Sequence, residues 1–197
     1  MPIFPSRPGP NKFRLVPAEI IVIPPLTPIY EEVILSSTYN GIWQSYAVDD
    51  LYISQGFTLV SDRVISSISL LYKIIGPRYH GLPNFNVRVS IYNSVGGLPT
   101  TLIAGSTSVI NTSEWLAGNL TFTFPFNDVA LSAGSYCFVV TYEDVVLNNA
   151  ANYIDYQFNS ANEYAGGAVG YKTEAGVNWA LLAGWDLNSS LTFVTYV

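Results

Sequence analysis

The chain reads as all-β, a jelly-roll-like two-sheet β-sandwich with an extended Pro-rich N-terminal arm. From Leu51 onward, short runs of β-branched and aromatic residues alternate with clusters of Gly, Pro, Asn and Asp, and almost no stretch has helical periodicity. Several runs alternate apolar with polar residues at a period of two, as a strand with one buried face requires. The opening of the chain differs in texture. Eight of its 12 prolines, at positions 2, 5, 8, 10, 17, 24, 25 and 28, stand in the first 28 of 197 residues.

Residues 1–28 form the arm. Each proline fixes φ and removes a backbone donor, so the segment suits neither a helix nor the middle of a sheet and runs extended, largely as polyproline II. A solvated tail would be polar throughout. This one carries Ile3, Phe4, Phe13, Leu15 and Val16, then Ile20, Ile21, Val22 and Ile23 in a row, and apolar side chains in that number need a surface to cover. The arm is therefore expected to lie on a partner, with Ile3, Phe4, Phe13, Leu15, Ile20, Ile21, Val22 and Ile23 as its contacts.

Residues 29–50 form a transition. Glu31 and Glu32 lead into Val33-Ile34-Leu35, and Ser, Thr and Tyr residues lead on to Gly41-Ile42-Trp43, which reads either as an edge strand or as a strap across the sandwich. The sandwich proper is expected over 51–197, with candidate strands at 52–60, 64–75, 86–92, 101–109, 119–126, 135–142, 152–158, 167–173 and 190–196. Val87, Val89 and Ile91 face one way while Arg88 and Ser90 face the other, and Leu120, Phe122, Phe124 and Phe126 repeat the pattern. Turns are marked by Gly76-Pro77, Gly81-Leu82-Pro83, Val95-Gly96-Gly97-Leu98-Pro99 and Asn127-Asp128. That spacing suits the two sheets of a jelly roll.

Hydrophobic residues make up 49% of the chain and charged residues only 11%, against roughly 25% in an ordinary soluble domain. The exposed surface must then be mostly Ser, Thr, Asn, Gly and Tyr, which suits a protein packed against neighbours. Residues 1–28 hold Arg7, Lys12 and Arg14 against Glu19, a net of +2, leaving five cations and 13 carboxylates, a net of -8, for the remainder. An acidic body argues against nucleic acid as a partner, since phosphates need clustered Lys and Arg. No apolar stretch approaches a membrane span and no signal-peptide pattern is present, so synthesis in a cytoplasm is the expectation.

Chemistry-bearing sets are thin. Cys137 is the only cysteine and lies in the apolar run Tyr136-Cys137-Phe138-Val139-Val140, which marks it as a buried thiol rather than a nucleophile. His80, the only histidine, falls in a loop tip, so a catalytic dyad would have to use it there. Asp49-Asp50 and Glu143-Asp144 are paired carboxylates, but adjacent strand residues point to opposite faces, and a glycosidase needs two carboxyl groups across a cleft. A solvated loop is the simpler reading, with a weak calcium site as the alternative. No catalytic residue, cofactor or metal site is assigned.

An ordered series of motifs adds a resemblance. Gln55-Gly56-Phe57, Val87-Arg88-Val89-Ser90-Ile91-Tyr92, Gly97-Leu98-Pro99, Leu131-Ser132-Ala133-Gly134-Ser135-Tyr136, and Tyr164-Ala165-Gly166-Gly167 ahead of Trp179 and Asp186 stand in sequence over 51–197. The series resembles the jelly-roll modules found as surface-anchored "choice-of-anchor" domains in bacteria and, in similar form, in phage virion proteins. Its motifs are structural, namely a strand ending at a Gly-x-Pro turn, a Leu-x-x-Gly-x-Tyr strand entry, and a Gly-Gly loop before a buried Trp. They say little about activity. The chain lacks the sorting or membrane tail of the anchored members, which points to the virion branch.

The aromatic supply is the remaining functional signal. Four Trp and 14 Tyr could furnish a sugar-stacking platform, while the competing reading places most of these rings in the core or in a subunit interface. Trp179 and Tyr136 fall at fold-motif positions. Trp115, in a loop, is the first candidate for glycan or interface contact, followed by Trp43 and Trp185. Together these features lead to the expectation of a non-enzymatic virion protein of a bacteriophage, a capsid decoration or cement subunit that forms a homo-oligomer, a trimer, and contacts the major capsid protein or tail proteins through its arm. The alternative is a tail-fibre or baseplate module that binds host surface carbohydrate.

Overall fold

The computed structural model describes residues 26–36, 41–46, 52–74, 86–111, 118–143, 153–159, 164, 166–172, 178–182, 184–187 and 189–197, with backbone alone at 36, 41–46, 72–74, 118–120, 142–143 and 153–159. The arm contacts expected between Ile3 and Ile23 lie outside these residues. The described chain contains strands and no helix. In order the strands are β1 (Pro28–Ser36), β2 (Gly41–Tyr46), β3 (Tyr52–Leu59), β4 (Arg63–Ile74), β5 (Asn86–Val95), β6 (Leu98–Gly105), β7 (Ile110–Asn111), β8 (Gly118–Leu131), β9 (Gly134–Glu143), β10 (Tyr153–Asn159), β11 (Val169–Lys172), β12 (Ala180–Leu182), β13 (Asp186–Leu187) and β14 (Ser189–Tyr196).

They form two seven-stranded antiparallel sheets. The first has the order β1-β14-β4-β10-β13, with β2 on β10 and β8 on β4, and the second has the order β12-β11-β3-β9-β5-β6, with β7 on β5. Consecutive strands β3 and β4 lie in different sheets, as do β8 and β9, yet β3 pairs with β9 and β4 with β8. A two-chain ribbon therefore crosses from one sheet to the other, which is how a jelly roll wraps. The crossing is tied by the Ala133 amide, which donates to Asp62 Oδ1 at 2.9 Å, and by Tyr136 Oη, which donates to the Ser132 carbonyl at 2.9 Å.

Period-two alternation fills the core from both layers. Ile53 and Phe57 of β3, Val87, Val89 and Ile91 of β5 and Phe138 of β9 meet Ile65, Ile68 and Leu70 of β4, Phe124 of β8 and Leu191 of β14. Segment 29–50, open between edge strand and strap, supplies β1 as the edge of the first sheet, and its Leu35 reaches the core.

Two turn signals acquire a different meaning. Asn127-Asp128 does not end a strand: β8 runs on to Leu131, and its register with β4 steps from Ile65↔Val129 to Ser67↔Pro125. Phe126, Asn127 and Asp128 thus face the single residue Ser66, and Asp128 takes φ 42°, so the polar pair makes a β-bulge inside a long strand. The second is Val95 to Pro99, where the turn is Gly96-Gly97 alone, with φ of 61° and 83°, the two positive angles that a two-residue hairpin requires. Leu98 and Pro99 already pair with Val95 and Ser94, so β6 starts at Leu98 and stops at Gly105, not at Thr101 and Val109. Pro99 is tolerated because β6 is an edge strand.

A polar pin joins the sheets at one end of the sandwich. Gln55 of β3 and Asp186 of β13 are both fully buried. Gln55 Oε1 accepts from the Leu187 amide at 2.7 Å, Gln55 Nε2 donates to the Gly56 carbonyl at 3.0 Å and lies 3.5 Å from Asp186 Oδ1, and Asp186 Oδ2 accepts from the Tyr164 amide at 2.9 Å. Tyr164 in turn clasps β3, its Oη accepting from the Thr58 amide at 3.0 Å while Thr58 Oγ1 donates to the Gly166 carbonyl at 2.8 Å. Gly167 then passes so close that a Cβ there would sit 1.9 Å from the Gly56 carbonyl oxygen.

Two outcomes follow. Gly167→Ala should destabilise the protein by about 1–3 kcal/mol through forced backbone separation, read as a lowered urea midpoint at unchanged slope. Asp186→Ala removes the acceptor for the Tyr164 amide and should cost about 3 kcal/mol in the same measurement; a loss below about 0.5 kcal/mol, the size of a neutral surface change, would show that the pin is dispensable.

Candidate functional site

Two surfaces stand out from the sandwich, an apolar edge and an aromatic cleft. The edge begins where the proline-dense segment ends. Thr27 and Val197 exchange backbone hydrogen bonds of 2.8 and 3.1 Å, and β1 continues along β14 from Pro28↔Tyr196 to Ser36↔Ser189. Along this margin Leu26, Ile29, Tyr30, Ile34, Tyr196 and Val197 are all exposed. Exposed edge strands are usually guarded by charge. Here the two carboxylates are occupied: Glu31 pairs with Arg63 at 2.5 Å, and Glu32 accepts from Ser190 Oγ at 2.5 Å. Arg63 itself lies over the Phe193 ring, 4.6 Å from its centroid. Tyr196 Oη hydrogen-bonds Asp128, and that bond raises the phenol above its ordinary value.

The cleft lies on the outer face of the second sheet. Register places Lys172, Tyr52, Thr141 and Arg88 in one row across β11, β3, β9 and β5, all on the face opposite the core. The next row is small, Gly170, Ser54, Val139 and Ser90. The β5–β6 hairpin folds over this trough: a Cβ on Gly170 would lie 3.1 Å from Leu98 Cδ2, and one on Gly97 would lie 3.3 Å from Leu181 Cδ2. Between hairpin and sheet a cavity of about 240 Å³ remains, floored by Tyr52, Tyr92, Val139 and Thr141 and walled by Pro99, Thr100, Lys172 and Trp179. Burial raises the Tyr92 phenol above its ordinary value, with Cys137 and Tyr52 adding to the effect. A larger hollow of about 330 Å³ lies at the ribbon crossing beside Asp62 and Arg63. Its side chains are committed to Ala133 and Glu31, so it is a seam of the fold.

The expected aromatic contacts land differently from their sequence reading. Trp115 lies outside the described residues, and Trp43 stands on β2 opposite Tyr156 with only its backbone described. Trp185 packs half-buried against the core, its carbonyl accepting from the Val169 amide at 3.3 Å, so it fills the fold beside the Asp186 pin. Trp179, expected to be buried, is half-exposed in the cleft. Tyr52, Tyr92 and Lys172 were missed. Alternation places each on an outer face, but only strand order sets them side by side. His80, Asp49, Asp50 and Asp144 lie outside the described residues. Among those described, no group of three or more His, Cys, Asp or Glu gathers as metal ligands, and no helix is long and apolar enough to cross a membrane.

No family model and no curated protein matches the chain. Among solved structures it is similar to a chain of the T13 viral particle of IBDV, with a TM-score of 0.40 and 10% identity over 98% of this chain and 36% of that one. It is also similar to the infectious bursal disease virus VP2 subviral particle, with a TM-score of 0.38 and 10% identity over 86% of this chain and 33% of that one. The chain thus spans about a third of the length of either, and the functional reading rests on its own surfaces.

Cys137 gives a direct check of the packing beneath the hairpin. It is fully buried, and burial pushes its thiol from 9.0 up to about 12. Iodoacetamide at neutral pH should label it only under unfolding conditions, as followed by intact mass. A raised value favours the protonated form in the folded state, so the stability it contributes is complete below pH 9.0 and is lost as pH climbs through the window towards about 12. Cys137→Ala should flatten that alkaline loss.

Proposed function

We propose that the chain is a non-enzymatic structural protein of a bacteriophage particle, a decoration or cement subunit that attaches to the capsid through residues 1–25 and the margin they join. The observation that carries this reading is the apolar edge: Leu26, Ile29, Tyr30 and Ile34 stay exposed on a strand whose two carboxylates are held, Glu31 by Arg63 and Glu32 by the Ser190 hydroxyl, at the root of a segment dense in proline and isoleucine. Apolar exposure along an edge strand of this kind marks a protein contact. Proline restricts the free arm in advance, so ordering it on a partner costs less entropy. The low content of charge and the resemblance of 51–197 to phage virion modules support the same reading.

The sheet fixes where the arm can be cut. Thr27 and Pro28 belong to β1's pairing with β14, so deletion of residues 2–25 spares the sandwich whereas deletion through 28 would not. The shortened protein should keep its melting temperature within about 3 °C, the shift that roughly 1 kcal/mol produces in a domain of this size. It should fail to co-sediment with particles assembled without the subunit, while the intact chain saturates them. Undiminished attachment of the shortened protein would overturn the proposal, and attachment that survives Ile34→Lys would remove the edge from it.

A further inference from the structure

We propose that the cleft under the β5–β6 hairpin binds one acidic sugar unit, a pyranose ring bearing a carboxylate, through a site separate from the attachment edge. Three rings, Tyr52, Tyr92 and Trp179, converge there around a cavity of about 240 Å³. That is below the roughly 300–1,000 Å³ of sites that enclose a drug-sized ligand, so it suits a single ring of a chain whose other units remain outside. Sugars present apolar C–H faces that pack on aromatic rings and hydroxyls that need polar partners, and the cleft supplies both kinds.

The polar partners are aimed by the fold. Thr100 Oγ1 donates to the Asn93 carbonyl at 3.0 Å and Thr141 Oγ1 donates to the Arg88 carbonyl at 3.4 Å. With their protons so directed, both oxygens keep lone pairs that accept from ligand hydroxyls. Next to Val139 in register, Ser54 Oγ is buried with no hydrogen-bond partner among the described residues, a cost the outer face bears beside the cleft floor.

The preference for an acidic sugar comes from charge. Lys172 is the only charged residue among those described that line the cavity, while Arg88, one strand beyond Thr141 in the same row, is bonded to the Ser106 carbonyl. Lys172 makes no ion pair among the described residues and stands beside Tyr52 in register. The body, residues 29–197, carries five cations, Lys172 among them, against 13 carboxylates. Among the described residues no carboxylate faces Lys172, and a single cation at the cavity wall selects a singly charged ligand. Nucleic acid or a phosphorylated chain would need several.

Isothermal titration of the full chain with tetragalacturonate, sialyllactose, α-1,4-galactotetraose and lactose tests this. At least one acidic sugar should bind at least tenfold more tightly than its neutral counterpart. Lys172→Met should erase that preference and leave the neutral sugars unaffected, and Trp179→Ala should weaken acidic and neutral sugars alike by at least tenfold. Circular dichroism establishes that each variant is folded, and the half-buried Lys172, whose aliphatic stem Met replaces, keeps the test alive if Trp179→Ala is not. Absence of binding to both acidic sugars at about 10 mM, a concentration at which even millimolar affinity saturates, overturns the proposal. Equal binding of acidic and neutral sugars, or no effect of Lys172→Met, overturns it as well. Deleting residues 2–25 should leave the titration unchanged, so failure of the attachment reading and failure of this one give different results.

Discussion

The buried pairing of Gln55 with the Asp186 segment is the constraint on which the rest of this sandwich is hung. Apolar burial holds two sheets together without saying how they should be placed, because it has no direction. A buried amide and carboxylate do have direction, since each donor and acceptor left unmatched costs free energy. Gln55 belongs to one sheet and Asp186 to the other, so their bonds set the offset between layers. Asp186 also seats the Tyr164 amide, Tyr164 clasps Thr58, and Gly167 closes onto Gly56. That chain of contacts delivers β11 to the side of β3. Lys172 then stands next to Tyr52.

This dependence explains which parts of the molecule were legible in advance. Alternation in Val87, Val89 and Ile91 fixes a strand and its buried face because both are local properties of the backbone. Polar and glycine signals were located correctly but underdetermined: Gly96-Gly97 makes a hairpin turn, whereas Asn127-Asp128 makes a bulge, and the difference lies in whether β4 continues opposite. Gln55-Gly56, Tyr164 to Gly167 and Asp186 were visible as one ordered motif series, yet their purpose is a contact between residues 131 positions apart. Trp179 and Trp185, both half-buried, take different neighbours for the same reason. Local context cannot tell that the chain around Trp185 is pulled inward by its neighbour Asp186 while Trp179 is left at the rim of a cleft.

The shortage of charge has a structural counterpart on the outer face of the first sheet. Ser67 and Ser69 of β4, Thr121 and Thr123 of β8, and Ser190 and Thr192 of β14 all point away from the core, and Ser69 and Thr123 touch at 2.9 Å across the strands. Hydroxyls satisfy one another and water without the long-range repulsion that a face of like charges would create. Such a face leaves specificity to the places where the pattern breaks. Two of these are the apolar margin of β1 and the ringed cleft on the other sheet.

Their separation is a consequence of the architecture. The margin runs along the edge strand of the first sheet, and the cleft opens on the outer face of the second, so the buried core lies between them. A contact laid along β1 adds to the hydrogen-bonded plane of its own sheet and leaves the far face in solvent. Ligand in the cleft, conversely, meets β3, β9 and the β5–β6 hairpin, none of which pairs with β1. Among the described residues, the ribbon crossing at Asp62 and the Gln55 pin both tie the two sheets, and each is buried or hydrogen-bonded in a single arrangement. A rigid link of this kind carries orientation rather than signal. Whatever holds the margin thereby fixes the direction in which the cleft faces.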